Sequence, residues 1–342
     1  MMAPKAANSD LSRRRPLRRR DVLAGAVAAL AAGARSASGP ASAAQKYPAR
    51  PVTIVVPFTA GAVTDATSRL LADHLAGAFG QSFVVENRGG GGGIPGTVTV
   101  ARAQPDGYTL VMSTNTTHSA VTALYRTVPY DPIKDFTPIA RLGGFVSLIA
   151  VNPELPVHSM AELVAYAKAN PGKLEYGHGN SGAQIVGEKL KSTAGIDIVR
   201  VAYRSNPPAM TDLIAGHIKM AATDLNTAMP QIRAGKIRPL AFATAKRVAV
   251  MPEIPTLAET VIPGFDALSW FGISGPAGMP REIVDMLAAE LHEFIVRPGI
   301  AEKLENMGAQ IIWVGPNEMP QFMETEHVRW TRMVKDAGIE PE

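Results

Sequence analysis

Two stretches of this chain place chemistry-bearing groups between a strand-like run and a helix-like run. The first is Val56-Pro-Phe-Thr-Ala-Gly-Ala-Val-Thr-Asp65. A loop of this kind presents unbonded backbone N–H groups at the positive end of a helix dipole, which suits an anion. Asp65 reads as a helix N-cap or first-turn acid, and Arg69, one turn later, is placed to reach back to it. The second stretch, Tyr176-Gly-His-Gly-Asn-Ser-Gly-Ala-Gln184, matches G-x-G-x-x-G through Gly177, Gly179 and Gly182. A dinucleotide site also wants an acid at the end of the following strand. Here Asp197 opens that strand, Ile198–Tyr203, and Arg204 stands at its carboxyl end. The same stretch approaches the nucleophile elbow G-x-S-x-G around Ser181, with Ala183 in the last position. Asp224 or Asp266, and His292 or His327, follow in the order a hydrolase triad would need. His292 falls on a helix whose apolar face is assigned to the core, which favours a half-buried place over a catalytic one.

Metal and thiol chemistry find no support. The chain has no Cys, which removes thiolate zinc sites, iron–sulfur clusters, disulfides and thiol catalysis. Its seven histidines are scattered, with neither H-x-x-x-H nor H-E-x-x-H spacing. No metal and no cofactor is expected.

Charge is unevenly placed along the 342 residues. Residues 1–44 hold eight Lys or Arg against Asp10 and Asp21, a net +6. Removing that +6 from the chain's +4 leaves −2, so no electrostatic footprint for nucleic acid remains beyond residue 44. The first 44 residues read as an export signal: a basic head (Arg13 to Arg20), an apolar run (Val22 to Ala34), then small residues at Ala41–Ala44. Arg19-Arg20-Asp21-Val22-Leu23 resembles a twin-arginine signal, with an ordinary secretion signal as the alternative; both lead to the periplasm.

The positioning elements alternate between β-rich and helical patterns. Expected strands are Pro51–Pro57, Phe83–Glu86, Tyr108–Ser113, Leu174–Tyr176, Ile198–Tyr203, Ile237–Ala243 and Gln310–Val314. Expected helices are Asp65–Phe79, one opened by the capping box Ser159–Glu162, one from about Gln184, Ala209–Ala215, Glu282–Val296 and Met319–Lys335. Alternation of this kind predicts an α/β protein with mixed, mostly parallel sheets, better divided into two cores than one. The polar, Gly-rich loops 58–64, 114–118, 177–183 and 204–208 each follow a strand. Ligands of open α/β sheets sit beyond such carboxyl ends. Facing one another from two lobes, these loops would form a cleft of N–H and O–H donors with few fixed cations, a carboxylate site without a nucleophile–base pair.

Several ordered stretches carry a family resemblance. They are Tyr47-Pro-Ala-Arg-Pro-Val-Thr-Ile-Val-Val-Pro-Phe58 with Ala60-Gly61, Asp65 and Arg69; Val85-Glu-Asn-Arg88; Gln104-Pro-Asp-Gly-Tyr-Thr-Leu110; and Tyr130-Asp-Pro-Ile-Lys-Asp-Phe136. Gly179-Asn180-Ser181 with Gln184, Ala202-Tyr-Arg204, Arg233-Ala-Gly-Lys236, Pro255-Thr256 with Glu259, and Trp270-Phe-Gly272 before Pro276-Ala-Gly278 extend them. From Tyr47 onward the chain resembles the periplasmic solute receptors of tripartite tricarboxylate transporters, the Bug or TctC family. The resemblance implies a two-lobed periplasmic-binding-protein fold, type II-like, with hinge crossovers: 47–146 plus 269–342 as one lobe, 147–268 as the other. It implies a small carboxylate ligand, a membrane permease as partner, and a monomer without catalytic turnover. Carried over by position, Phe58, Thr59, Ala60, Gly61, Asn115, Thr116, Gly179, Asn180, Ser181, Tyr203 and Asp224 (with Thr223) should line the cleft. The chain departs from the family pattern at Ala62 (usually Gly), Gly89 (usually Pro) and Ile185 (often His). The alternatives are an exported α/β hydrolase using Ser181, a nicotinamide oxidoreductase using the 177–182 glycines, and an orphan receptor feeding a sensor kinase.

Overall fold

The computed structural model describes residues 47–342, so the export signal read over 1–44 lies outside the described residues. The β-branched run Val52–Val56 forms β1, buried on both faces as a continuous apolar strand should be. Helix α1 (Val63–Phe79) starts two residues before Asp65, because the Asp65 carboxylate turns back to the Gly61 N–H at 2.9 Å and orders the turn ahead of it. Gly80, with φ of 70°, ends the helix in the left-handed conformation that Gly adopts without a Cβ penalty.

In chain order there follow β2 (Phe83–Asn87), α2 (Ile94–Ala101), β3 (Thr109–Thr114), a π-turn (Thr116–Ala120) running into α3 (Val121–Leu124), and β4 (Phe136–Phe145). Next come β5 (Ser147–Val151), α4 (Met160–Ala169), β6 (Leu174–His178), α5 (Ser181–Ala194), β7 (Ile198–Ala202), α6 (Asn206–Ala215), β8 (Met220–Asp224), α7 (Leu225–Arg233) and β9 (Arg238–Phe242). The chain closes with α8 (Leu257–Thr260), β10 (Phe271–Pro276), α9 (Arg281–Val296), α10 (Pro298–Asn306), β11 (Ala309–Val314) and α11 (Met319–Asp336).

Two mixed sheets result. The first has six strands in the order β11-β4-β10-β3-β1-β2, the second five in the order β7-β6-β8-β5-β9. The chain leaves the first sheet at Phe145 and enters the second at Ser147, across Val146 alone. It returns between β9 and β10. The α/β class with two sheets holds, but the balance of strand directions differs from expectation. Four strand pairs are parallel and five antiparallel. The antiparallel pairs are those made by β4, β5, β10 and β11, all adjoining the crossings or added after them, where the chain reverses direction.

Each sheet buries its own apolar face. Ile54, Leu71, Leu75, Leu110, Ile139, Phe271, Leu287 and Phe294 form the first-sheet core. The second sheet is covered on both sides. Leu148, Met210, Leu213 and Phe242 pack on one face, and Ile149, Leu163, Tyr176, Val186 and Leu190 on the other. That second face is completed from a distance, by Trp330 and Val334 of α11. Trp330 is fully buried and donates its indole N–H to Glu326 at 2.8 Å, which satisfies its one polar atom.

Candidate functional site

The loops after β1, β3, β6, β7 and β8 meet at a cavity of about 30 Å³. At roughly 10–15 Å³ each, that is room for a couple of waters. Its lining divides into two walls by sheet. Phe58, Ala62, Val63, Thr64, Thr114, Asn115 and Thr116 come from the first; Gly179, Asn180, Ser205, Asn206, Asp224 and Thr227 from the second. Phe145, Ser269 and Trp270 line it from the crossings.

On the first wall, α1 begins at Ala62 with no side-chain cap. The opening N–H groups of a helix have no intrahelical partners, so this end keeps its donors and its positive dipole for whatever sits in the cavity. Thr64 adds a hydroxyl that is buried and without a hydrogen-bond partner. Asp65 does not compete for the site. It binds Gly61 N–H behind the turn and pairs with Arg69 at 2.9 Å. Burial opposes its charge, but the Gly61, Arg69 and Asn87 contacts outweigh burial and hold the carboxyl below its ordinary value.

The second wall bonds its side chains to one another, although α6 and α7 also begin there, at Ser205 and Asp224, with no side-chain cap. Asn180 caps α5 through Oδ1, which accepts from Ala183 N at 2.9 Å, and its Nδ2 donates to Asp224 Oδ2 at 2.9 Å. Asn206 Nδ2 donates to the same oxygen at 2.7 Å, and Ser147 Oγ donates to Asp224 Oδ1 at 3.3 Å. Burial pushes the Asp224 carboxyl up to about 6, against the pull of those three donors. No other lining residue of the cavity is ionisable.

The walls touch. Ser181 Oγ accepts from Asn115 Nδ2 at 2.9 Å and lies 2.9 Å from Thr116 Oγ1, while Ser181 N donates to Thr116 Oγ1 at 3.2 Å. Thr59 and Ser205 join their hydroxyls nearer the rim. Of the residues expected at the cleft, Phe58, Asn115, Thr116, Gly179, Asn180 and Asp224 line the cavity. Ser181 lies in the contact between the walls. Thr59, Ala60 and Tyr203 line a separate shallow pocket with Pro207, Pro208, Thr211 and Asp212. There Tyr203 donates to Asp212 at 2.6 Å. Gly61 is exposed and does not line the cavity, and its N–H is taken by Asp65. Thr223 is buried on β8 and does not line the cavity.

Thr64, Ser205 and Asn206 fall in the expected cleft loops 58–64 and 204–208 without being singled out, and Thr227, Ser269 and Trp270 lie outside every expected loop. Asn206 had a usable signal, since Ser205-Asn206-Pro207-Pro208 reads as an N-cap followed by prolines in the first helical turn. Ser269 and Trp270 had none, because they enter the site from the return crossing.

The motif readings dissolve on inspection of their surroundings. A Cβ on Gly179 would lie 1.9 Å from the Ser205 carbonyl carbon, and one on Gly177 would lie 2.5 Å from Ile218. These glycines serve close packing between loops, which a G-x-G-x-x-G pattern alone does not distinguish from a phosphate cradle. Ser181 has no histidine among its partners. His292 packs on the Trp313 ring and His327 lines a different pocket, so the nominal triad is not assembled. Among the described residues no cluster of three or more His, Asp or Glu is suited to a metal. No helix among them is long and apolar enough to cross a membrane.

Comparison with known proteins decides the family. The model of the tripartite tricarboxylate transporter family receptor, TctC, matches residues 67–339. The chain belongs to this family. BugT of Bordetella pertussis is 32% identical over 298 residues, covering 86% of this chain and 91% of that protein. A solved R. palustris protein with adipate is 38% identical with a TM-score of 0.84, covering 86% of this chain and all (100%) of that one. MatC from Rhodopseudomonas palustris, with bound malate, is 30% identical with a TM-score of 0.79, covering 84% and 100%. TctC proteins are solute-binding receptors and not enzymes, which sets aside the hydrolase and oxidoreductase readings.

Proposed function

We propose that this protein is a periplasmic receptor that captures a small carboxylate between its two sheets and delivers it to a tripartite membrane transporter. One observation carries the reading. An uncapped helix N-terminus and a buried, unpartnered Thr64 hydroxyl face a cavity whose lining contains no cationic side chain. Backbone and hydroxyl donors bind a carboxylate without requiring a fixed counter-charge, directly or through water. The adipate and malate carried by the two solved relatives support the same ligand class.

The reading needs the walls to part, because a cavity of about 30 Å³ holds water and not a four- to six-carbon acid. We assign the moving bodies as 47–146 plus 269–342 against 147–268, hinged at Val146 and at the return crossing. The ligand stabilises the closed form by its differential affinity for it. The protein acts as a monomer, exported by the signal in residues 1–44.

Thermal unfolding of the purified protein against mono-, di- and tricarboxylates, amino acids and aromatic acids tests this. A ligand at about a hundred times its Kd should add roughly 2.7 kcal/mol, an easily measured rise in Tm. A saturable rise with one class, with the compound recovered unchanged, supports the receptor. No rise with any of them, and no small molecule released on denaturing the protein, overturns it.

A further inference from the structure

We propose that the second wall makes this receptor select carboxylates bearing a hydrogen-bond donor, a hydroxyl or an ammonium group, away from the carboxylate. The inference rests on the receptor reading above and adds the polarity of the ligand's other end.

The first wall offers donors: the open start of α1 and the Thr64 hydroxyl. The second wall has open helix starts of its own, at α6 and α7, and adds side-chain acceptors to them. A carboxylate has about four lone-pair sites, and Asp224 has three donors on it. Two of those converge on Oδ2, so Oδ1 is left with only the long Ser147 bond at 3.3 Å. Asn206 supplies the second, independent sign. Its Oδ1 is buried without a partner, while its Nδ2 is held by Asp224 at 2.7 Å. Flipping the amide would set oxygen against carboxylate oxygen, so the orphaned atom is an acceptor and stays one. Buried acceptors of this kind cost stability unless something donates to them. A hydroxyl or ammonium on the ligand does so. A second carboxylate cannot, and it meets the one ionisable group of the lining with like charge. The adipate-bound relative marks the contrast, since a plain dicarboxylate is what this wall disfavours.

No other titratable group confuses the assignment. Asn180, Asn206 and Ser147 around Asp224 are neutral at all relevant pH. His118 and His178 are pushed down by burial to about 3 and about 4 and stay uncharged above about pH 5.

The test is isothermal titration of the full protein with two matched series. One is butyrate, 4-hydroxybutyrate, 4-aminobutyrate and succinate; the other is the six-carbon set hexanoate, 6-hydroxyhexanoate, 6-aminohexanoate and adipate. At about pH 8 the hydroxyl or ammonium member of one series should bind at least about ten-fold tighter than its methyl and dicarboxylate counterparts, as befits a bond to a charged acceptor. Whether hydroxyl or ammonium leads separates hydroxy acids from amino acids as the source. Asp224→Asn should erase an ammonium preference and let the dicarboxylate gain. Only the hydroxyl-against-methyl and ammonium-against-methyl comparisons are repeated on wild type at about pH 5, below the Asp224 value of about 6, because a dicarboxylate's own second carboxyl titrates there. The preference should narrow, and this decides the matter if the variant fails to fold. A dicarboxylate or plain acid that binds best at about pH 8, with the order unmoved by pH or by Asp224→Asn, overturns selection by this wall alone. No binding by any of the eight overturns the receptor reading and this inference with it.

Discussion

Helices α1 and α5 both begin at the cavity, one from each sheet, and their first turns are finished differently. α5 is closed off by its own sequence: Asn180 Oδ1 takes the Ala183 N–H, and the Ser181 N–H goes across to Thr116. α1 begins at Ala62 with no side chain over its end and with Thr64 Oγ1 unbonded. The stretch with the louder motif, the glycines from 177 to 182, is thus the one whose donors are used internally. The plainer loop, 57–64, leads into a helix start left open, as do the starts of α6 and α7 on the other wall. A glycine pattern reports that backbones approach closely. It does not report whether a ligand or another loop is what they approach.

The sharpest way to break this contrast is to add a methyl group on each side. Gly179→Ala drives a Cβ into the Ser205 backbone at 1.9 Å and should cost about 3 kcal/mol or more in urea denaturation. Gly61→Ala meets nothing within 4 Å and should cost only about 1–2 kcal/mol for its positive φ of 82°. Equal losses would mean that the two loops are not packed as described.

Acid titration is the next in size. Asp224 is held above the usual carboxylate range, so its contribution is complete below about pH 4 and is lost as pH rises through about 6. His118 and His178 are held low, so theirs is complete above about pH 6.5 and is lost as pH falls through about 4 and about 3. Wild type should therefore lose less stability between about pH 6 and 4 than Asp224→Asn does, by roughly 2–3 kcal/mol. Parallel pH profiles for the two would show that Asp224 titrates normally.

Thr64→Val keeps the shape of the first wall and removes its free hydroxyl. Carboxylate affinity should fall about ten-fold by titration calorimetry while Tm holds or rises, because the lost group has no partner in the protein. Asn180→Ala should do the reverse, costing about 1 kcal/mol of stability through the lost cap. If Asn180→Ala lowers affinity more than Thr64→Val does, the walls have been assigned the wrong way round. The smallest effect is expected for Ser181→Ala, a change in affinity of about two- to three-fold, since Asn115 and Thr116 can turn to water once the walls part.

Most of the architecture was readable where local chemistry and tertiary packing agree. The run before Pro57 became β1, the Glu282–Val296 stripe became α9, and the stretch from Met319 became α11. Ser159 caps its helix as the pattern predicts, but Glu162 reaches the N–H of His158 instead of the cap residue. Helix α5 starts at Ser181, three residues ahead of the expected Gln184, because Asn180 caps it. Strands β4, β5, β8 and β10 went unread. Pro138, Gly143 and Gly144 interrupt β4, and Gly272 and Gly275 interrupt β10. Those glycines are needed because strands and loops cross there with no room for a side chain: a Cβ on Gly272 would lie 2.2 Å from Ala140 O. The site was legible as a set of loops. Which loop keeps its donors depends on hydrogen bonds between residues more than sixty positions apart, such as Asn115 to Ser181, and spacing along a chain carries no sign of them.

Helix α11 has a bearing on how the protein is made. Its Trp330 and Val334 finish the core of the second sheet, although the last strand of that sheet, β9, ends at Phe242. A chain emerging from the ribosome amino end first therefore has all the strands of that sheet before it has the side chains that complete the cover of one of its faces. Until the 18 residues of Met319–Asp336 arrive, the part of that face that α4 and α5 do not cover stays apolar and open to chaperones or to other chains. A protein shortened before Met319 should aggregate even though every strand and every cavity-lining residue is still present.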